Sequence, residues 1–191
     1  MKQLRTWYEQ RLRALRDWLI AHSNPYRNLY HGDGSSYMDR CWTMPRWLLR
    51  EVEDEYGRYF KPRTWLPCAL RLHHIVTEDK DPHFHDHPFF FISLVLTGGY
   101  IEARPAQRDP CFWQDNDEEQ AIRSIRLPGE VALRNTYDRH RIVHVLPDTW
   151  TLVLHGRAVQ WWGFYTRAGK VFWKDYPSVH HADAAAPRTE R

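Results

Sequence analysis

Along the chain the spacing of hydrophobic residues changes at Pro62. Before it, Leu4, Trp7, Tyr8, Leu12, Leu15, Trp18 and Leu19 recur at steps of three and four, with Arg and Glu on the opposite side. That stripe predicts an amphipathic opening helix that packs against the main body. Residues Asn24 to Ser36 (NPYRNLYHGDGSS) are turn-forming, and Pro45 stands where a second helix, Arg46 to Phe60, is expected to begin. Residues 1–62 therefore read as a helical and loop preface.

After Pro62 short β-rich runs alternate with Pro, Gly and Asp: Cys68–Thr77, Phe89–Thr97, Tyr100–Arg104, Ala121–Leu127, Val131–Asn135, Arg141–Leu146, Thr149–His155, Gln160–Thr166 and Val171–Tyr176. No helical pattern separates them, which predicts an antiparallel sandwich or barrel over residues 63–178. Gly98-Gly99 between two runs is the signature of a type I′ hairpin, whose central residues both need positive φ. Asp115 to Gln120 (DNDEEQ) reads as a solvated tip. Residues 179–191 lack apolar periodicity and are expected to form a disordered tail.

Composition narrows the class. At 191 residues, 42% hydrophobic and 27% charged, the chain is long enough for one globular core. Aromatics at 15% suit a β interior or a small-molecule pocket. A net charge of +3 gives no nucleic-acid footprint. Cys41, Cys68 and Cys111 fit neither a disulfide framework nor a metal knuckle, so a reducing, cytoplasmic compartment is expected and Cys68 and Cys111 read as structural. Charge interrupts every apolar stretch near the start, and no run of membrane-spanning length occurs, so neither a signal segment nor a membrane partner is expected.

Histidine is the outlier, at 12 residues. In Asp81-Pro82-His83-Phe84-His85-Asp86-His87-Pro88, three histidines fall at period two just before an apolar run, so in extended backbone they share a side. Two such imidazoles and a third from a distant strand can form one face of a coordination shell for Zn or Fe. His140 is the source of that third ligand, and His144 follows four residues later at matching parity.

At this point the sequence resembles the cupin superfamily, the small RmlC-like jelly rolls. That family's first motif is H-x-H, three or four residues, Glu, six residues, Gly. Here His85-Asp86-His87, three residues to Phe91 and six to Gly98 reproduce the spacing. The second motif, a Gly- and Pro-containing turn followed by His, is matched loosely by Pro128-Gly129-Glu130 and His140. The resemblance covers roughly Leu66 to Tyr176 and implies a mainly β, cupin-type double-stranded β-helix (jelly-roll barrel) with N-terminal helices.

The usual Glu is replaced by Phe91. The first shell that the resemblance then implies is His85, His87 and His140, similar to the all-His iron site of thiol-dioxygenase-type cupins. An all-neutral triad leaves the ion's charge uncompensated and favours an anionic substrate. With Gly98-Gly99 as a hairpin turn, Glu102 would sit opposite Val95, too far from the motif to ligate, and reads as a pocket or structural charge. The His-x-Asp motif of 2-oxoglutarate oxygenases is not met, because Asp86 adjoins His85; it could orient a ligand imidazole instead. Arg71, His73, Ser93 and Arg104 are at inward parity and could anchor an acidic group, with Arg71, His73 and Arg104 the candidate catalytic residues. Trp150, Trp161, Trp162, Phe164 and Trp173 read as core or as a stacking wall.

The functional expectation is a mononuclear non-haem Fe(II) oxygenase acting on a small anionic molecule, with Zn, Mn or Ni as other ions the site could take and a homodimer as a compatible assembly. Two other classes remain open at this stage: a non-catalytic or structural cupin, and a metal-free isomerase similar to sugar-nucleotide epimerases, with a His base and a Tyr acid.

Overall fold

A computed structural model describes residues 2–31, 33–54, 57–106, 121–166 and 168–176. The expected acidic tip, Cys111 and the tail lie outside the described residues. The elements are α1 (Lys2–Ala21), β1 (Asn24–Pro25), β2 (Leu29–Tyr30), β3 (Ser36–Trp42), β4 (Leu49–Asp54), β5 (Gly57–Pro62), β6 (Cys68–Ile75), β7 (Phe91–Thr97), β8 (Tyr100–Arg104), β9 (Ile122–Arg126), β10 (Val131–Arg134), β11 (Arg141–Val145), β12 (Thr149–Gly156), β13 (Gly163–Thr166) and β14 (Gly169–Phe172). The fold is mainly β, with antiparallel pairing throughout.

The large sheet runs β1-β3-β6-β12-β7-β10, with β2 beside β3. The small sheet runs β11-β8-β9 and is extended by His85, which bridges His140 on one side and Phe164 on the other. From β6 to β12 the chain crosses between a β6-β12-β7-β10 layer and a His85-β11-β8-β9 layer, with β8 and β9 consecutive in the second, the strand order of a jelly roll. The period-two pattern of the sequence is visible in β6, where Ala69, Arg71 and Ile75 are buried toward the barrel interior.

Helix α1 lies on the outer face of the large sheet. Leu12 and Leu19 are buried against Leu72 and Leu96, a contribution of about 2 kcal/mol per side chain. Arg16 pairs with Asp148 at 2.5 Å and fixes the helix to the β11–β12 turn.

Two expectations change. The segment read as a second helix forms a single 3₁₀ turn (Arg46–Leu48) followed by the β4–β5 hairpin. Val52 and Tyr59 face one another across it, and Gly57 adopts φ +110°, so the alternation in Arg50–Glu53 belongs to a strand. The preface also supplies strands, since β3 pairs with β6 over Met38 to Trp42.

Gly98 and Gly99 do have positive φ, at +66° and +148°. They make no hairpin, however, because β7 and β8 belong to different sheets. A Cβ on Gly98 would lie 2.4 Å from Thr149 Oγ1, and one on Gly99 would lie 2.6 Å from the Arg126 carbonyl oxygen, so only glycine turns this corner. The buried Thr149 hydroxyl accepts the Gly99 N–H at 2.9 Å.

Candidate metal centre

His85 and His140 exchange both backbone N–H···O bonds, each at 3.0 Å, as directly opposed residues of an antiparallel pair. Their rings lie 4.8 Å apart, and the His87 ring is 5.2 Å from His85 and 5.0 Å from His140. One ligand nitrogen from each of the three falls within 4.8 Å of the others, an arrangement that could hold a metal ion. The structure brings together the three histidines that the sequence singled out.

Burial keeps two of the rings neutral, and a carboxylate orients the third. Glu102 Oε1 accepts the Nδ1–H of His140 at 2.9 Å, which fixes the tautomer and leaves Nε2 with its lone pair, 2.7 Å from His87 Nε2. Burial pushes His85 down to about 4, with the nearby Asp79 carboxylate only partly offsetting it. Burial, reinforced by His140 and His85, holds His87 well below the ordinary imidazole range. Three imidazole nitrogens brought together in this way suit a borderline divalent ion such as Fe(II) or Zn.

Glu102 is 2% exposed and Arg134 4%. Burial alone would raise the Glu102 carboxyl, but the hydrogen bonds from His140 and Arg134 and the charge of Arg134 outweigh it and keep the group ionised. Arg134 Nε donates to Glu102 Oε1 at 2.9 Å, and its Nη2 reaches Oε2. Because Gly98-Gly99 carries the chain to the other sheet, Glu102 stands opposite Ile142 and Ser124 instead of Val95. It is the carboxylate that orients a ligand imidazole.

Asp86 does not take that role. It is fully buried and accepts from Gly163 N at 2.9 Å, Tyr165 Oη at 2.8 Å and Lys170 Nζ at 2.6 Å. These bonds tie the His85–His87 segment to β13 and β14. His83 also leaves the cluster, its Nδ1 lying 2.6 Å from Tyr176 Oη. His144 is exposed, because a bulge between Ile142 and His144 reverses the parity that the sequence implies.

The imidazoles border a cavity of about 560 Å³ that Arg71, His73, Ser93 and Phe91 also line. Phe91, 8% exposed, presents itself edge-on to the His87 ring at 4.8 Å. Arg71 Nε and His73 Nε2 are buried without a hydrogen-bond partner. Arg104 is not brought to the cavity; its guanidinium reaches Ser124 Oγ at 3.5 Å. Trp162, Phe164 and Trp173 form an aromatic wall, with the two indoles stacked at 5.5 Å. Trp150 stacks on His74 and Trp161 is 51% exposed, so neither belongs to that wall. The sequence reading missed Arg134 and Asp79, whose Oδ2 accepts the Ile142 N–H at 2.7 Å and stands 3.9 Å from His85 Nδ1. Arg134 is an inward charge in a strand, a signal the sequence did carry.

No family model matches the chain. No curated protein matches it. Among solved structures it is similar to the polyketide cyclase RemF from Streptomyces resistomycificus, at 14% identity and TM-score 0.41, covering 72% of this chain and 79% of that one. It is also similar to the DMSP lyase DddQ from Ruegeria pomeroyi DSS-3 (15%, TM-score 0.36, 59% of this chain and 47% of that one). Fe(II) HppE is a further similar structure (9%, TM-score 0.39, 70% and 54%). The chain spans about half the length of DddQ and of HppE. None of its helices is long and apolar enough to cross a membrane, among the described residues. The chain has the strand order of a jelly roll and carries a cluster of three histidines.

Proposed function

We propose that this protein is a metal-dependent enzyme, a mononuclear non-haem Fe(II) oxygenase that acts on a small anionic molecule. One observation carries the reading: three imidazoles converge on the wall of a cavity that also contains the buried Arg71, which has no acidic partner among the described residues. His85, His87 and His140 would hold the ion, which supplies Lewis-acid and redox chemistry at its open positions when bound.

The chain's own residues do the rest. Glu102 holds the His140 tautomer, and Arg134 keeps Glu102 ionised. Arg71 binds the acidic group of the substrate, and His73 offers a second polar contact beside it. Phe91 fills the place of a carboxylate ligand with an apolar edge, so the shell stays neutral and an anion is the natural counter-charge. Trp162 and Phe164 exclude water from the same space.

The test is metal analysis of untagged protein followed by oxygen uptake with iron restored, across small carboxylic and phosphoric acids. Stoichiometric iron and substrate-dependent uptake support the reading. Stoichiometric zinc with no uptake by the iron-loaded protein contradicts it.

A further inference from the structure

Behind Arg71 lies a second cavity, about 270 Å³, at the opposite end of the barrel from the Met38–Val95 apolar cluster. Its mouth carries Arg50, Lys61, Arg63 and Arg157, and no carboxylate lines it among the described residues. Arg63 and Arg157 are spent on carbonyl oxygens of the surrounding loops: Arg63 Nε donates to Trp47 O at 2.8 Å and Arg157 Nε to Leu66 O at 2.8 Å. Arg50 and Lys61 are different. They are directly opposed across the β4–β5 hairpin, where like charges repel, and neither has an acidic partner among the described residues.

The floor has two more groups with unused capacity. Arg71 is 7% exposed, and its Nε lacks a partner. Its guanidinium lies over the faces of Trp42 at 5.4 Å, Phe89 at 5.2 Å and Tyr26 at 5.8 Å and meets the Tyr26 hydroxyl. His155 is 8% exposed and stacked on Phe89 at 4.2 Å. Its Nδ1 donates to the Gly156 carbonyl at 2.8 Å, so the orphaned Nε2 is an acceptor. A site that combines cationic donors with one buried acceptor selects an oxyanion that still carries a proton.

We infer that this vestibule binds the phosphate group of a small organic phosphate, with Arg50, Lys61 and Arg71 taking its charged oxygens and His155 Nε2 accepting its P–O–H. Tyr26, Arg71 and Phe89 line both cavities, so the remainder of the same molecule lies toward the three imidazoles. That second placement rests on the proposed function; the phosphate site itself does not. The concavity of the site and the depth of Arg71 exclude a nucleic-acid backbone, whose phosphates cannot reach a floor of this kind.

The experiment is calorimetric titration of the full chain at constant ionic strength and about pH 6, where a phosphate monoester still carries its proton in about half the molecules, with inorganic phosphate, phenyl phosphate and sulfate. One phosphate per chain is expected, with sulfate at least tenfold weaker because it has no proton to give. The doubly substituted Arg50→Gln, Lys61→Gln protein, altered only at the mouth, should bind phosphate at least tenfold more weakly with its metal stoichiometry unchanged. His155→Gln should bring phosphate and sulfate toward equal affinity. Absent phosphate binding, binding unaltered in the double variant, or tighter binding of a duplex oligonucleotide than of phenyl phosphate overturns the inference. Loss of metal binding with phosphate binding intact would instead count against the proposed function. Phenyl phosphate should also perturb the visible spectrum of the Co(II)-substituted protein, and an unchanged spectrum in the bound state overturns the shared placement.

Discussion

Glu102 Oε1 and His140 Nδ1 meet at 2.9 Å inside the barrel, and the same carboxylate is held from its other side by Arg134. Glu102→Gln removes the charge that fixes the His140 tautomer, and a lost outer partner of this kind typically weakens metal binding about 10–100-fold. It also strands a buried guanidinium, at a cost of about 3–5 kcal/mol. Metal titration and urea unfolding should show both losses. Adding Arg134→Met to the variant should restore most of the stability and none of the affinity.

Phe91→Glu tests the absent carboxylate. The side chain lies edge-on to His87 at 4.8 Å, so a glutamate there can supply a fourth, anionic ligand. Divalent-ion affinity is expected to rise at least tenfold, and any oxygenase turnover to fall, because an open position is filled. In the metal-free state the same variant should be less stable, since it buries an unpaired charge. Titration that shows no tightening would place Phe91 outside the coordination space.

Stability should fall on acidification. Burial, with Arg71 beside it, pushes His155 down to about 3, so the native ring stays neutral while the unfolded chain takes up a proton near 6.5. The unfolded state then binds more protons, and the stability present above pH 6.5 is lost progressively down to about pH 3, at about 1.4 kcal/mol per unit. Urea midpoints at pH 7.5 and pH 5 should differ in that direction, and His155→Gln should reduce the difference, the remainder coming from His73, His85 and His87. Equal midpoints in the wild-type protein would contradict it.

Gly98→Ala should destabilise the fold by about 2 kcal/mol or more, because the position has φ +66° and a Cβ there would lie 2.6 Å from Thr149 Cα. Denaturant unfolding would show a lower midpoint with an unchanged slope. A shift below half that size would mean that the corner between the sheets relaxes.

The barrel was legible because its strands alternate, and the histidine cluster because its spacing survives as geometry. Tyr100–Arg104 is a strand with the bounds its pattern implies. What was hidden depends on contacts between distant segments. Two glycines with positive φ look alike in a hairpin and in a corner between sheets, and that ambiguity displaced Glu102 from His140. A single bulge near Val143 removed His144 from the inner face. In Arg46–Phe60 a proline start and dense charge imitate a helix, and only Gly57 signals the hairpin.

The most direct test is the metal content of the untagged protein after anaerobic Fe(II) loading and desalting, with His85→Ala, His87→Ala and His140→Ala beside it. The wild-type chain should retain one ion, each of the three variants none, with cooperative unfolding preserved; His83→Ala, whose ring bonds Tyr176 at 2.6 Å, should retain it. A wild-type protein that holds no divalent ion, or triad variants that keep a full equivalent, would contradict the account.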